Sequence, residues 1–207
     1  YRERLLENVI SACDNRTQVR ARIQEHRIFV GTVAAISGKM ELFRLKRFDV
    51  AIIDEASQIL EPHLLGILSA RDTAGRNAIG RFILIGDHKQ LPAVVLQRER
   101  DSRVEDPALR AMGLTDRRQS LFERLYQLHK EEAQSPVWGM LRKQGRMHPE
   151  IALFPNMAFY NGQLQAVPLP HQSGDIEFAR FDPAVPLQQA LATKRLLFIP
   201  SEKQTDD

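Results

Sequence analysis

The sequence predicts an α/β fold: a parallel sheet with flanking helices. Three observations carry that prediction. Phe48 to Ile53 and Arg81 to Gly86 are almost continuously apolar, the pattern of parallel strands covered on both faces. Between them, Glu61 to Ala70 fits a helix, with Pro62 tolerated in its first turn. Strand, helix and strand over about 30 residues form a βαβ unit with a right-handed crossover. Both apolar runs then end abruptly in polar residues, and ligands of such sheets bind beyond the carboxyl ends of the strands.

The remaining elements follow in chain order. Leu5, Leu6, Val9, Ile10 and Cys13 share one face of a helix within residues 1–27. Arg27 to Ile36 is apolar, partly β-branched and closed by Ser37-Gly38, which predicts a strand running into a turn. Residues 71–80 are polar and contain two glycines, so they form a loop. Residues 97–118 alternate acids and bases and predict a solvated loop or mobile insertion. Ser120 to Leu128 reads as an amphipathic helix, with Ser120 and Glu123 spaced as a capping box. Pro136 marks a domain boundary, dividing the chain into 1–135 and 136–207. Beyond it, Val137 to Leu141 and Arg195 to Pro200 predict strands, and His148 to Tyr160 predicts a helix broken or kinked at Pro155. Residues 161–190, rich in proline, glycine and glutamine, predict an extended loop.

The bulk composition excludes several classes. Of 207 residues, 43% are hydrophobic and 27% charged, which suits an ordinary globular core needing no disulfide or metal staple. The one cysteine, Cys13, cannot form an internal disulfide, so an intracellular setting, cytoplasmic or nuclear, is expected over secretion. No stretch approaches the roughly 20 apolar residues of a membrane span. The six histidines show no metal-ligand spacing. A net charge of +3 permits nucleic-acid binding without arguing for it. The first residue is Tyr1 rather than methionine, consistent with a piece of a longer protein.

Two short segments concentrate the chemistry. The first is Asp54-Glu55-Ala-Ser-Gln58, after the earlier apolar run; the second is Gly86-Asp87-His-Lys-Gln90-Leu-Pro92, after the later one. A magnesium–nucleotide site needs a carboxylate held rigidly near the metal, and Asp54 at a strand end suits that role. Glu55 beside it can orient or deprotonate water. Asp87 and Gln90 bring an acceptor and an amide toward the first pair. Arg146, in the second half of the chain, can neutralise charge on a transferring phosphoryl group.

These residues resemble superfamily 1 helicases, in the branch of the nonsense-mediated-decay RNA helicase and the replicative helicase–nuclease. Asp54 to Gln58 is similar to motif II and Gly86 to Pro92 to motif III. Gln119 to Leu125 resembles the helix that follows. Gln144-Gly-Arg146-Met-His148-Pro149 and Phe154 to Gly162 resemble motif IV and its helix. The resemblance implies two RecA-like domains, with residues 1–135 the end of the first and 136–207 the start of the second. ATP and Mg2+ would lie between them, and single-stranded DNA or RNA would cross the top. It implies that Asp54 holds the metal, Glu55 activates water, Gln90 senses the γ-phosphate and Arg146 reaches it. Asp87 and Gln144 would join Asp54 in binding the nucleotide, and Thr32 and His148 would meet the nucleic acid.

The chain departs from the family in two places. It contains no Gly-x-x-x-x-Gly-Lys-Ser/Thr loop to cradle phosphates, so this piece alone is expected to be inactive. Gly145 stands where the family carries an aromatic residue that stacks on the nucleotide base. The principal reading is a fragment of an ATP-dependent helicase or translocase. The rival is a non-catalytic, helicase-derived binding or scaffold module, and a third reading is a two-metal nuclease built on Asp54, Glu55 and Asp87.

Overall fold

The computed structural model describes residues 2–131, 137–173, 182 and 184–199. The chain divides into two compact units, Tyr1–Trp138 and Gly139–Asp207.

In the first unit, a short 3-10 turn at Arg2–Arg4 leads into α1 (Leu6–Ser11), and α2 follows (Arg16–Glu25). The single helix expected over residues 1–27 is thus broken, because Asn15 starts a new one: its side chain accepts a hydrogen bond from the Gln18 amide at 3.0 Å. The strand expected over 27–36 does not form. Residues 27–32 lie in no ladder, and Ile28 and Val30 are 82% and 94% exposed. Thr32 instead caps α3 (Val33–Ser37), its hydroxyl accepting from the Ala35 amide at 3.1 Å. The β-branched run reads as strand, but a capping threonine ahead of Val-Ala-Ala-Ile turns it into helix. Next comes α4 (Glu41–Leu45).

β1 (Phe48–Ile53), a 3-10 turn at Ala56–Gln58, α5 (Glu61–Leu68) and β2 (Ile79–Leu84) form the predicted βαβ unit. The strands are parallel, with Phe48 opposite Ile79 and Ile53 opposite Leu84. One face of this pair is the core. Phe43, Ile67, Ala70, Ala78 and Ile79 cluster there with Phe48, Ala51 and Phe82 around them. Leu64, fully buried, packs with Ile53, Ala56 and Leu121 toward the strand ends. The continuous apolar pattern predicted cover on both faces. Val50, Ile52, Ile83 and Ile85 correct that: they alternate onto the other face and are exposed.

Residues 97–118 are folded rather than a loose insertion. They contain α6 (Glu99–Ser102) and α7 (Pro107–Ala111), with Ser102 and Val104 buried. Arg103 bridges to Asp116 through the backbone, and the Arg118 guanidinium grips the Asp116 carboxylate at 2.6 to 3.1 Å. Opposite charges that nearly cancel along the sequence pair in space. α8 (Leu121–His129) begins where expected, the Ser120 hydroxyl accepting from the Glu123 amide at 3.1 Å. Arg124 of α8 forks onto both carboxylate oxygens of Glu61, at 2.7 and 2.6 Å, and also donates to the Met112 carbonyl. Both side chains of this pair are close to buried, so α8 is fastened to the start of α5.

The second unit carries a smaller parallel pair. β3 (Lys143–Gln144), α9 (Pro149–Phe159) and β4 (Gln165–Ala166) repeat the strand–helix–strand order, with Lys143 opposite Gln165. α9 runs through Pro155 as one helix. The strand expected at Val137 to Leu141 does not form; among the described residues the nearest ladder starts at Lys143. α10 (Pro170–Ser173) and α11 (Pro186–Thr193) interrupt the stretch expected to be an extended loop. Residues 195–199 form no ladder, and Leu196, Phe198 and Ile199 are exposed; Pro200, the last residue of that expected strand, lies outside the described residues. Among the described residues, no helix is long and apolar enough to cross a membrane.

Candidate functional site

The parallel register sets the ends of β1 and β2 side by side. One step beyond the ladder, the Ile85 amide donates to the Ile53 carbonyl at 2.8 Å, and the Ala56 amide donates to the Ile85 carbonyl at 2.7 Å. The Asp87 amide donates to the Ser57 hydroxyl at 3.1 Å. The two loops are therefore tied by backbone bonds at Ile53, Ile85 and Ala56 and by the Ser57 hydroxyl.

Gly86 is what lets these loops meet. A Cβ there would stand 2.8 Å from the Ser57 amide nitrogen and 3.1 Å from its hydroxyl, closer than any side chain fits. Glu55 has a left-handed backbone, with φ 51° and ψ 35°, uncommon outside glycine and a mark of local constraint. Its carboxylate Oε2 accepts from the Gln58 side-chain amide at 3.0 Å. The Asp54 Oδ1 accepts from the Glu55 amide at 3.0 Å. Asp54 and Glu55 are both exposed.

The second loop is braced from within. Asp87 Oδ1 accepts from the Lys89 amide at 3.0 Å, and Oδ2 from the Gln90 side-chain amide at 2.9 Å. The Gln90 amide nitrogen of the backbone donates to the Asp87 carbonyl at 3.2 Å. Between them His88 packs on Tyr126. Burial, followed by the charge of Lys89, holds the His88 imidazole below its ordinary range.

Among the described residues, no three His, Cys, Asp or Glu side chains converge as a metal cage. The hard oxygens of Asp54 nevertheless fit one kind of metal. Mg2+ keeps several waters and is commonly held by one or two carboxylates together with substrate phosphates.

Thr32 lies in the first unit, committed as the cap of α3. Gln144, Arg146 and His148 share one turn of the second unit. Gln144 Oε1 accepts from the Arg146 and Met147 amides at 3.0 and 2.8 Å, and its Nε2 donates to the Met147 carbonyl at 3.0 Å. That side chain shapes the turn from which the exposed Arg146 projects. His148 Nδ1 accepts from the Glu150 amide at 3.2 Å as the cap of α9. The Gly145 carbonyl bonds His171 Nε2 at 2.6 Å, and a Cβ at Gly145 would come within 3.0 Å of Leu169.

Three contributors escaped the sequence reading. Ser57 supplies the acceptor that ties the two loops. Tyr126 supplies the ring under His88. Gln172, almost completely buried, donates to both the Gln144 and Met147 carbonyls, at 3.1 and 2.9 Å. Only the first had a usable signal, a small polar residue inside the acidic motif.

The strand-end acids of this βαβ unit are met by an amide-bearing loop on the adjacent strand. A family model described as AAA domain matches residues 4–98, and a second model of the same description matches 117–205. The chain is 37% identical over 148 residues to the probable helicase MAGATAMA 3 of Arabidopsis thaliana, covering 71% of this chain and 15% of that protein. It is 38% identical over 124 residues to the human DNA replication ATP-dependent helicase/nuclease DNA2, covering 60% of this chain and 9% of that one. It is 33% identical over 138 residues to the DNA-binding protein SMUBP-2 of Rattus norvegicus, covering 66% and 11%. The chain belongs to the superfamily 1 helicases. It spans between 9% and 15% of the length of these relatives.

Proposed function

We propose that this chain supplies the metal-holding and water-handling half of the ATP site of a superfamily 1 helicase, and that the larger protein couples ATP hydrolysis to movement on single-stranded DNA or RNA. The observation that carries this reading is the register of Ile53 against Leu84, which brings Asp54-Glu55 beside Asp87–Gln90.

In this reading Asp54 would hold Mg2+. Bound there, Mg2+ would offset charge on the β- and γ-phosphates. Glu55 takes the proton of the attacking water. Gln58 holds its Oε2, which leaves Oε1 for that water. Gln90 exchanges its bond to Asp87 for one to a γ-phosphate oxygen, and Asp87 is its resting partner. Arg146 is read as the group that adds positive charge as the phosphoryl group is transferred, and Gln144 holds the turn that presents it. Thr32 and His148 serve the nucleic acid. The Thr32 hydroxyl accepts within its cap but retains its proton to donate to a phosphate. The bond to His148 Nδ1 places its proton on Nε2, where it can donate likewise. Residues 1–135 and 136–207 are read as the end of one RecA-like domain and the start of the next.

Activity needs a phosphate-cradling loop, and the 207 residues contain none, so the chain alone is expected to turn over no ATP. The test is Glu55→Gln in a longer protein that contains both this chain and such a loop. Loss of a general base costs about 10²- to 10⁴-fold in kcat. Turnover at the parent rate in Glu55→Gln sinks the assignment. A longer protein that binds nucleic acid but hydrolyses nothing supports the scaffold reading instead. Hydrolysis by the 207-residue chain itself, lost in Glu55→Gln, would overturn the expectation that it is inert.

A further inference from the structure

His88, Tyr126 and Trp138 form a continuous aromatic stack. The His88 and Tyr126 ring centroids are 4.3 Å apart with the planes tilted by 32°. Tyr126 and Trp138 meet edge to face at 5.3 Å and 82°. The Trp138 indole N–H donates to the His129 carbonyl at 2.9 Å, which ties this end of the stack to the last turn of α8. The three residues come from three different places: the loop after β2, the middle of α8, and the last residue of the first unit.

What makes this more than local packing is the company His88 keeps. Within a single tight turn Asp87 accepts from the backbone amides of Lys89 and Gln90, bonds that do not depend on the Gln90 side chain. A turn so braced moves as one piece, and the His88 ring is its aromatic contact with α8. We propose that the stack is a mechanical relay: displacement of the Asp87–Gln90 turn is passed through His88 to Tyr126 and from Tyr126 to Trp138, where the chain leaves the first unit. Tyr126 is then a positioning residue for the turn, and Trp138 is the relay's output. The relay's use in a helicase rests on the reading of Gln90 as a phosphate-contacting group, since that contact is what would displace the turn.

Trp138 is the only tryptophan in the chain, so its fluorescence reads the output directly. The experiment uses the 207-residue chain, without nucleotide, and compares Trp138 emission wavelength and acrylamide quenching in variants whose far-UV circular dichroism matches the parent. Tyr126→Ala should shift emission to longer wavelength and raise quenching about twofold, because an edge-on ring no longer covers an indole now 38% exposed. His88→Ala should move both readouts the same way by a smaller amount, although His88 stacks on Tyr126 and not on Trp138. In a Tyr126→Ala background the His88→Ala effect should vanish, a coupling that only a path through Tyr126 produces. His88→Phe and Tyr126→Phe, which keep a flat ring, should restore parent values. The relay is refuted if His88→Ala leaves Trp138 at parent emission and quenching, or if its effect persists undiminished without the Tyr126 ring. Should Tyr126→Ala fail to fold, the contrast between His88→Ala and His88→Phe decides the matter alone. No step of the measurement involves ATP, so failure of the relay and failure of the ATP-site reading are separate results.

Discussion

Two kinds of apolar segment occur in this chain, and their sequences look alike. Phe48–Ile53 and Ile79–Leu84 are strands; residues 27–32, 137–141 and 195–199 are equally apolar and are not. The difference lies outside the segments. β1 and β2 have each other, in register over five paired positions, and a helix that returns one to the other. The other three have no ladder partner among the described residues, and most of their aliphatic side chains are exposed, although Phe29 meets Phe48 and Trp138 meets Tyr126. Val30 and Phe198 are 94% and 89% exposed. Strand character is fitness for a pleated, half-covered surface, and without a neighbour no surface exists to fit.

The sharpest way to break this comparison is to remove one side chain from each kind of region. Leu64→Ala takes a fully buried side chain from between β1, α5 and α8. It should destabilise the chain by about 2–5 kcal/mol, the transfer loss of a buried leucine plus its cavity. Phe198→Ala should change stability by less than about 0.5 kcal/mol despite removing a larger ring. Urea unfolding followed by circular dichroism measures both. Equal costs would mean that residues 195–199 are covered in solution after all.

The same contrast explains what could be read from the sequence. The βαβ core and the Ser120 cap announce themselves locally, through continuous apolar runs, Pro62 in a first turn and a serine three residues before Glu123. The two acidic strand ends were legible for the same reason, since parallel strands must finish at the same edge. Partnership was not. Nothing near Arg27 states that it lacks a neighbouring strand, and nothing in residues 161–190 marks Gln172 for burial under the Gln144 turn. Tyr126 lies far along the chain from His88, and no short motif links them. The charged segment 97–118 misled for a related reason: its acids and bases cancel along the sequence, but Asp116 and Arg118 pair in the fold.

A second prediction sharpens the comparison inside the core itself, at two glycines. Gly86→Ala would push a methyl group to 2.8 Å from the Ser57 amide, a backbone atom that cannot swing aside. It should cost about 1–3 kcal/mol, as overpacking does, and shift the amide resonances of residues 54–58 and 85–90 together. Gly66 sits inside α5 with nothing within 4 Å of the would-be Cβ. Gly66→Ala should therefore stabilise by about 0.5–1 kcal/mol, the helix preference of alanine over glycine. Gly86→Ala with unperturbed resonances in both loops would show that the strand ends do not touch in solution.

The smallest effect concerns the segment whose structure the charge pattern concealed. The Arg118 guanidinium bonded to Asp116, against an opposing penalty from burial, holds that carboxyl well below the usual carboxylate range. A depressed folded-state value means the unfolded chain binds the proton more readily. The contribution of Asp116 is therefore fully present above the unfolded value of about 3.9 and is lost progressively as pH falls below it. Denaturation midpoints should decline from pH 5 to pH 3 by less in Asp116→Asn than in the parent, and the two should differ most near neutral pH. The pair is partly exposed, so its strength at neutral pH should also fall with added salt. If Asp116→Asn follows the parent throughout this range, residues 97–118 owe their order to the buried Ser102 and Val104 alone, and the ion pair is a consequence of the fold rather than a cause.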